Sequence, residues 1–513
     1  MSVPWLTILA ALPIVGAVVV MLLPRRGPVG AVLTKQVAFG FSLAALVISV
    51  VIAAQYDKAG GFQFVEQYNW ISTFGAHYAV GIDGLGLVLV LLTTILTPVV
   101  ILASWNDADD GRWSVNSFFA WMLALEGLAV GVFAATDVFL FYVLFEATLI
   151  PIYFLIGGFG GARRSYAAVK FLLFSLFGGL LMLASVVGLY VVTAKSASGP
   201  SYLLEDLMKA DMSTTTGRWL FLGFFIAFAV KAPMWPVHTW LPDAASEGTP
   251  GTSVLLVSVL DKIGTFGMLR FCLGIFPEAS RWATPVIIAL AVFSVLYGAL
   301  LAIGQNDIRR LIAYTSISHF GFIVLGIFAL TSQGQAGSML YMFNHGLSTA
   351  ALFLVTGFLI SRRGSKMITD YGGVEKVAPV MAGIFLVAGL SSLSLPGLSP
   401  FVSEFLVLAG TFTKSITAAV FATLGIVLAA LYILLMYQRT MTGPVRESTK
   451  HITDLRPREI FALAPLLALI VVLGVYPKPA LDVLNPSVSS ILQHVGVEDP
   501  TPTVAADTEG TSK

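Results

Sequence analysis

Apolar windows of about 20 residues, the length at which a helix crosses ~30 Å of hydrocarbon, follow one another along this chain with few interruptions. Fourteen are read, at 3 to 23, 36 to 54, 79 to 103, 115 to 134, 136 to 158, 166 to 192, 218 to 243, 251 to 275, 282 to 304, 308 to 330, 337 to 360, 378 to 414, 416 to 438 and 459 to 476. The pattern predicts an all-α polytopic membrane protein. The first window has no basic residue before it and Arg25 and Arg26 behind it. That polarity predicts a retained helix with its N-terminus outside, not a cleaved signal peptide.

Two segments differ from the rest. Segment seven carries prolines within KAPMWPVHTWLP (231 to 242), and segment twelve within SLPGLSPFVSEF (394 to 405). Proline removes a helical hydrogen bond and clashes with the preceding turn, so both are expected to be discontinuous. Unwound backbone at membrane depth is tolerated where protein or a polar cavity surrounds it. The two breaks lie five segments apart, so segments 4 to 8 and 9 to 13 can be two copies of one five-helix unit. Five is odd, which makes the repeat inverted, an arrangement in which ion sites lie near the midplane at the broken helices. The expected divisions are 1–114 with three helices, 115–275 and 282–440 as the two units, 441–476 as a loop and last helix, and 477–513 as an outside tail. From Glu498 onward the tail reads as disordered.

Composition and charge sharpen this picture. Hydrophobic residues make up 57% of the 513, and only 11% are charged, against roughly 25% in soluble domains, which excludes a water-soluble enzyme. The net charge of +1 leaves no electrostatic footprint for nucleic acid. A single cysteine, Cys272, excludes a disulfide, a CxxC zinc site and a thiolate-ligated iron–sulfur cluster within the chain. Loops alternate in basic content: seventeen Lys and Arg fall in the loops assigned inside and eight outside, with four within segments. By the positive-inside rule both termini are expected outside.

A charge at the bilayer centre costs ~2.5–3.5 kcal/mol on insertion scales, so position within a segment decides what a charge means. Lys170 and Arg270 lie toward segment ends, where their heads can reach the interface. Glu146, Lys231, Lys262, His319, His345 and Glu404 all fall near mid-segment or at a break. Together they form an alternating set of acids, amines and imidazoles of the kind that builds intramembrane proton relays. Any one alone is equally readable as a buried polar anchor. Glu146 is the expected partner of Lys231, with Lys262, His319 and His345 passing the proton laterally to Glu404. Glu126, His238 and Asp261 are further candidates; for the first two, anchor and relay member weigh evenly. Asp261 adjoins Lys262, but neighbours point about 100° apart on a helix, so pairing is not implied. Asp137 reads as structural, and His77, His451 and His494 as solvated. No HExxH, GxxxxGK[ST], GxSxG or dinucleotide-binding GxGxxG motif is present, so hydrolysis, nucleotide binding and flavin or nicotinamide chemistry have no support.

Six stretches, FYVLFEATLIPIYFLIGG, FAVKAPMWPVHTWLPDA, LDKIGTFGMLRF, DIRRLIAYTSISHFGF, NHGLSTAALFLVTG and SLPGLSPFVSEFL, occur in this order. Through them the chain, over about residues 80 to 440, resembles the antiporter-like, proton-pumping membrane subunits of respiratory NADH:quinone oxidoreductase (complex I). Multisubunit cation/proton antiporters share that family. The resemblance implies a Glu146–Lys231 core ion pair, a relay through Lys262, His319 and His345, and Glu404 at the broken twelfth helix. Most members carry a lysine there and one branch a glutamate, so Glu404 is similar to that branch. It also implies a bacterial cytoplasmic-membrane location and other complex I membrane subunits as partners, neighbouring antiporter-like ones especially. NAD, FMN, iron–sulfur clusters and quinone would then be held in other subunits, with no cofactor in this chain. A cation/proton antiporter subunit is the alternative. The chain departs from the family in the loop after helix seven and at Asp261, where an apolar residue is common.

Overall fold

The computed structural model describes residues 3–24, 27–109, 113–195 and 199–499. Arg25, Arg26 and Arg112, counted above among the basic loops, and the tail from 500 onward lie outside the described residues. Among the described residues, twelve helices are long and apolar enough to cross a membrane. They are α1 (Trp5–Leu22), α2 (Gly27–Gln55), α3 (Gly84–Ala103), α4 (Val115–Ala134), α5 (Val138–Phe159), α6 (Arg164–Thr193), α9 (Pro250–Ile275), α10 (Pro277–Ile303), α11 (Ile308–Phe328), α12 (Ser332–Arg363), α15 (Ile416–Met441) and α16 (Pro457–Val475). Between them sit two interrupted pairs, α7 (Thr214–Lys231) with α8 (Trp240–Glu247), and α13 (Pro379–Ser392) with α14 (Ser399–Lys414). These fall where the prolines of segments seven and twelve predict discontinuity.

The burial gradient places the core. Helix α9 is buried along its length, and α11 and α12 nearly so, whereas α1, α2, α6, α10, α15 and α16 leave most positions at least partly exposed. In a membrane protein the outer faces meet lipid or neighbouring subunits, so apolar residues on the rim are expected, and polar residues gather inward.

Three features go beyond the hydropathy reading. A short antiparallel hairpin, β1 (Gln63–Ile71) and β2 (Ala76–Ile82), precedes α3, with Tyr68 opposite Tyr78. Its connection needs Gly75, which has φ +69° and whose missing Cβ would lie 1.9 Å from the Pro200 carbonyl oxygen. Second, α9 is not a uniform α-helix: Leu255–Leu260 and Met268–Cys272 are π-helical turns. Third, the expected tail contains an amphipathic helix, α17 (Lys478–Val495), packed on α3 and α12. Its apolar residues recur at helical spacing (Leu484, Val488, Leu492, Val495, all buried), a period interrupted by too many polar residues to register as a membrane segment. Beyond it, Asp499 still accepts a hydrogen bond from the Ser332 backbone amide at 2.8 Å.

A buried ion pair holds this end together. Arg270 of α9 grips Asp83, the N-cap of α3, at 2.5 and 3.0 Å, and Ser487 of α17 donates to the same carboxylate at 3.1 Å. Arg270 therefore does not reach an interface as its position suggested; a carboxylate 187 residues away in sequence draws it inward. Lys170 likewise is anchored, 2.6 Å from Asp243 of α8, which also binds Arg310.

Candidate proton-transfer site

The break after α7 follows from its prolines. Pro233 and Pro236 have no N–H, so upstream carbonyls lose their helical partners. The Met234 amide takes the Ala229 carbonyl that Pro233 leaves free, at 3.0 Å, and the Trp240 indole donates instead to the Val230 carbonyl at 3.0 Å. Lys231 is the last residue of α7 and is buried. Its ammonium stands over the Phe145 ring at 5.1 Å and the Phe171 ring at 5.7 Å, a cation–π setting that compensates part of its lost hydration. Among the described residues it has no hydrogen-bond partner. The expected Glu146–Lys231 pair is thus not a direct contact. Glu146, on α5, is only partly buried in the isolated chain and lies against α6. An added Cβ at Gly179 would stand 1.8 Å from its Oε1. The adjoining Gly178 packs on Ala227 and Val230 of α7, so one glycine pair of α6 touches both sides of the couple.

Beyond Lys231 the polar groups do meet. Lys262 Nζ donates to the Val257 carbonyl at 2.8 Å and lies 2.6 Å from His345 Nδ1, over the Phe320 ring at 4.8 Å. The π turn just before Lys262 has shifted the backbone bonding by one residue, with the Asp261 amide reaching Leu256. π turns are frequent at functional sites for this reason: they expose backbone groups inside a helix. His345 and His319 present their rings edge to face, 5.2 Å between centroids, and His319 is 5.8 Å from the Tyr341 ring. Ser394 sits at φ +61° in the break between α13 and α14, and Glu404 is buried on α14 just beyond it. Asn344 braces that break, donating to the Ser399 carbonyl at 2.8 Å and Ser403 Oγ at 2.7 Å.

Lys262, His319 and His345 are thereby brought together where α9, α11 and α12 meet, while Glu404 is buried on α14, which packs on α11 and α12, and Lys231 ends α7, which packs on α9. Tyr341 was missed from sequence, where a hydroxyl carries no charge to mark it. Tyr341 could have been found: it lies four residues before His345, on the same helix face. Of the further candidates, His238 lies in the α7–α8 gap against Tyr297, ring centroids 5.2 Å apart, and Glu126 on α4 is buried with neither oxygen partnered among the described residues. Asp137 is structural, capping α5 through Leu140 N at 2.9 Å. His77 is not a loop residue but lies on β2, 3.8 Å from Asp137, and His494 lies 2.7 Å from the Gly274 carbonyl.

A model of the family described as NADH:quinone oxidoreductase/Mrp antiporter, transmembrane, matches residues 135–429. NADH-quinone oxidoreductase subunit M of Mycobacterium tuberculosis (strain CDC 1551 / Oshkosh) is 52% identical, over 98% of this chain and 97% of its own length. The chain belongs to this family, in its subunit M branch. The subunit M of Rhodobacter capsulatus is 40% identical over 95% of the chain and 96% of its own length. Among solved structures, a chain of respiratory complex I from Thermus thermophilus with bound NADH superposes with a TM-score of 0.87 at 31% identity, covering 96% of this chain and 100% of that one. The family fold extends further: a chain of the Mrp complex from Dietzia sp. DQ12-45-1b gives a TM-score of 0.84 at 20% identity, over 96% of this chain and 100% of that one.

Proposed function

We propose that this chain is the subunit M-type proton-translocating membrane subunit of a respiratory NADH:quinone oxidoreductase. It sits in a bacterial cytoplasmic membrane with both termini outside. Electron carriers and quinone belong to other subunits, and neighbouring membrane subunits, antiporter-like ones in particular, are its partners. Residues 115–275 and 282–440 act as two inverted units, each contributing one broken helix to the route.

The observation that carries the reading is the direct Lys262–His345 contact of 2.6 Å, continued through His319 to Tyr341 on α12, the helix that packs on α14, which carries Glu404. A purely structural set of anchors would pair off its charges. Here Lys231 Nζ, Glu146 Oε1, His319 Nδ1, His345 Nε2 and the Tyr341 hydroxyl are buried with no hydrogen-bond partner among the described residues. Such groups are normally completed by water, and water is what lets a proton cross the longer gaps. Each proton moved outward against the potential costs ~2.3 kcal/mol per 100 mV, so a permanently open route would dissipate the gradient. Lys231, with Glu146 acting on it from α5, is the gate: moving that carboxylate changes whether the lysine holds or releases its proton.

Lys231→Ala tests this in the assembled complex. Proton pumping is expected to be lost while NADH oxidation by an artificial acceptor persists. Normal pumping in an assembled Lys231→Ala complex refutes the mechanism. Sodium-dependent transport by the chain with antiporter partners alone supports the cation/proton antiporter alternative instead.

A further inference from the structure

Asp261, like Glu126, is a buried carboxylate that the relay as described leaves unused. It is fully buried, and neither carboxylate oxygen has a hydrogen-bond partner among the described residues. A lone anion in such a place costs several kcal/mol unless a cation compensates it, so what surrounds it matters.

Two faces of α9 give the answer. Lys262 looks toward α12, where it meets His345, and Thr265, one turn on, donates to Met342 of the same helix at 2.9 Å. The neighbouring face looks toward α7. Gly264, one turn beyond Asp261, packs so closely on the end of α7 that an added Cβ would lie 2.6 Å from both the Ala232 amide nitrogen and the Phe228 carbonyl oxygen. Gly267, a further turn along, would meet the Phe228 ring at 2.4 Å. Residues three apart share a helix face, so Asp261 lies on the face pressed against the residues that flank Lys231. The π turn Leu255–Leu260 ends immediately before it, and the Asp261 amide bonds back five residues to Leu256 at 3.0 Å. The stretch Lys262–Gly267 that follows Asp261 is the part of α9 that packs on α7.

We propose that Asp261 is the proton-transfer group joining Lys231 to Lys262 across the contact between α7 and α9. The Lys231 ammonium gives a proton to the Asp261 carboxylate, leaving a neutral amine and a carboxylic acid. The acid then gives that proton to the neutral amine of Lys262, restoring the carboxylate and leaving Lys262 as an ammonium. No other reactant is needed, and the exchange runs equally in reverse. The proposal rests on the relay reading above and supplies the link that its Lys231 end lacks.

The test uses the whole complex in native membranes, with assembly followed on native gels and by NADH oxidation with ferricyanide, and proton uptake by fluorescence quenching. Asp261→Asn is expected to assemble and to oxidise NADH with ferricyanide at the parental rate. Its proton uptake per assembled complex should fall on the order of 10²-fold, the low end of what a positioned proton donor contributes. Asp261→Glu is expected to restore uptake. Parental uptake in Asp261→Asn overturns the assignment. Should the Asn variant fail to assemble, Asp261→Leu separates the cases: normal uptake in an assembled Leu variant makes Asp261 a packing residue and overturns the proposal. Lys231→Ala, run alongside, keeps the two readings apart. Loss of uptake there with parental uptake in Asp261→Asn sinks only the bridge, and parental uptake in both sinks the relay itself.

Discussion

Replacing Lys262 separates its charge from its ability to release a proton. Its ammonium donates to Val257 at 2.8 Å, touches His345 at 2.6 Å and stands over the Phe320 ring at 4.8 Å. Removing this donor leaves the Val257 carbonyl and His345 Nδ1 without it, at roughly 1–3 kcal/mol apiece. A desolvated cation–π contact adds about 2 kcal/mol. Against these losses, Lys262→Met also removes the several kcal/mol needed to bury an ammonium. The two sides are of similar size, so the complex is expected to assemble. The chemistry has no such offset: without a proton carrier at this point, uptake should fall by about 10²–10⁴-fold. Lys262→Arg sharpens the test, because a guanidinium keeps the positive charge and the donors yet does not deprotonate in proteins. Both variants are expected to keep ferricyanide-linked NADH oxidation and to lose uptake measured by fluorescence quenching. Parental uptake in Lys262→Arg means that charge alone suffices, and the relay argument fails.

Three further outcomes follow from packing. In Gly179→Ala the new methyl would sit 1.8 Å from Glu146 Oε1, forcing the carboxylate aside. Misplacement by ~1 Å can lower a rate up to about 10²-fold, so uptake should drop in a fully assembled complex, and unchanged uptake removes Glu146 from the gate. Gly264→Ala meets backbone on α7 at 2.6 Å, which cannot swing away as a side chain can. Overpacking of roughly 1–3 kcal/mol should appear as a lower thermal midpoint of the assembled complex, and an unchanged midpoint contradicts the close α7–α9 contact. Asp83→Asn leaves Arg270 buried beside an uncharged partner, which should cost about 3–5 kcal/mol. Freed α17 should then be cut by added protease after Tyr476 faster than in the parent, and equal cleavage shows that the pair does not secure this helix.

Sequence order alone determined that this chain is a helical membrane protein, because a 20-residue apolar period needs no tertiary context to be recognised. The prolines of KAPMWPVHTWLP and SLPGLSPFVSEF located both discontinuities, since a missing N–H breaks a helix wherever it occurs. They also placed Lys231 and Glu404 beside those breaks. The rarity of buried charge singled out Lys262, His319 and His345. What residue order left open was direction. Asp261 and Lys262 are adjacent, and only the packing of Gly264 on α7 and of Thr265 on α12 assigned one to each neighbour. Likewise Arg270 and Asp83 are 187 residues apart, and only folding revealed that they neutralise each other. Helix α17 lay in what read as a polar tail, because an amphipathic stripe gains its stability from the surface it covers. Periodicity and backbone chemistry are local and can be read from the chain; which charges face each other is a property of helix rotation and crossing, which only the assembled bundle sets.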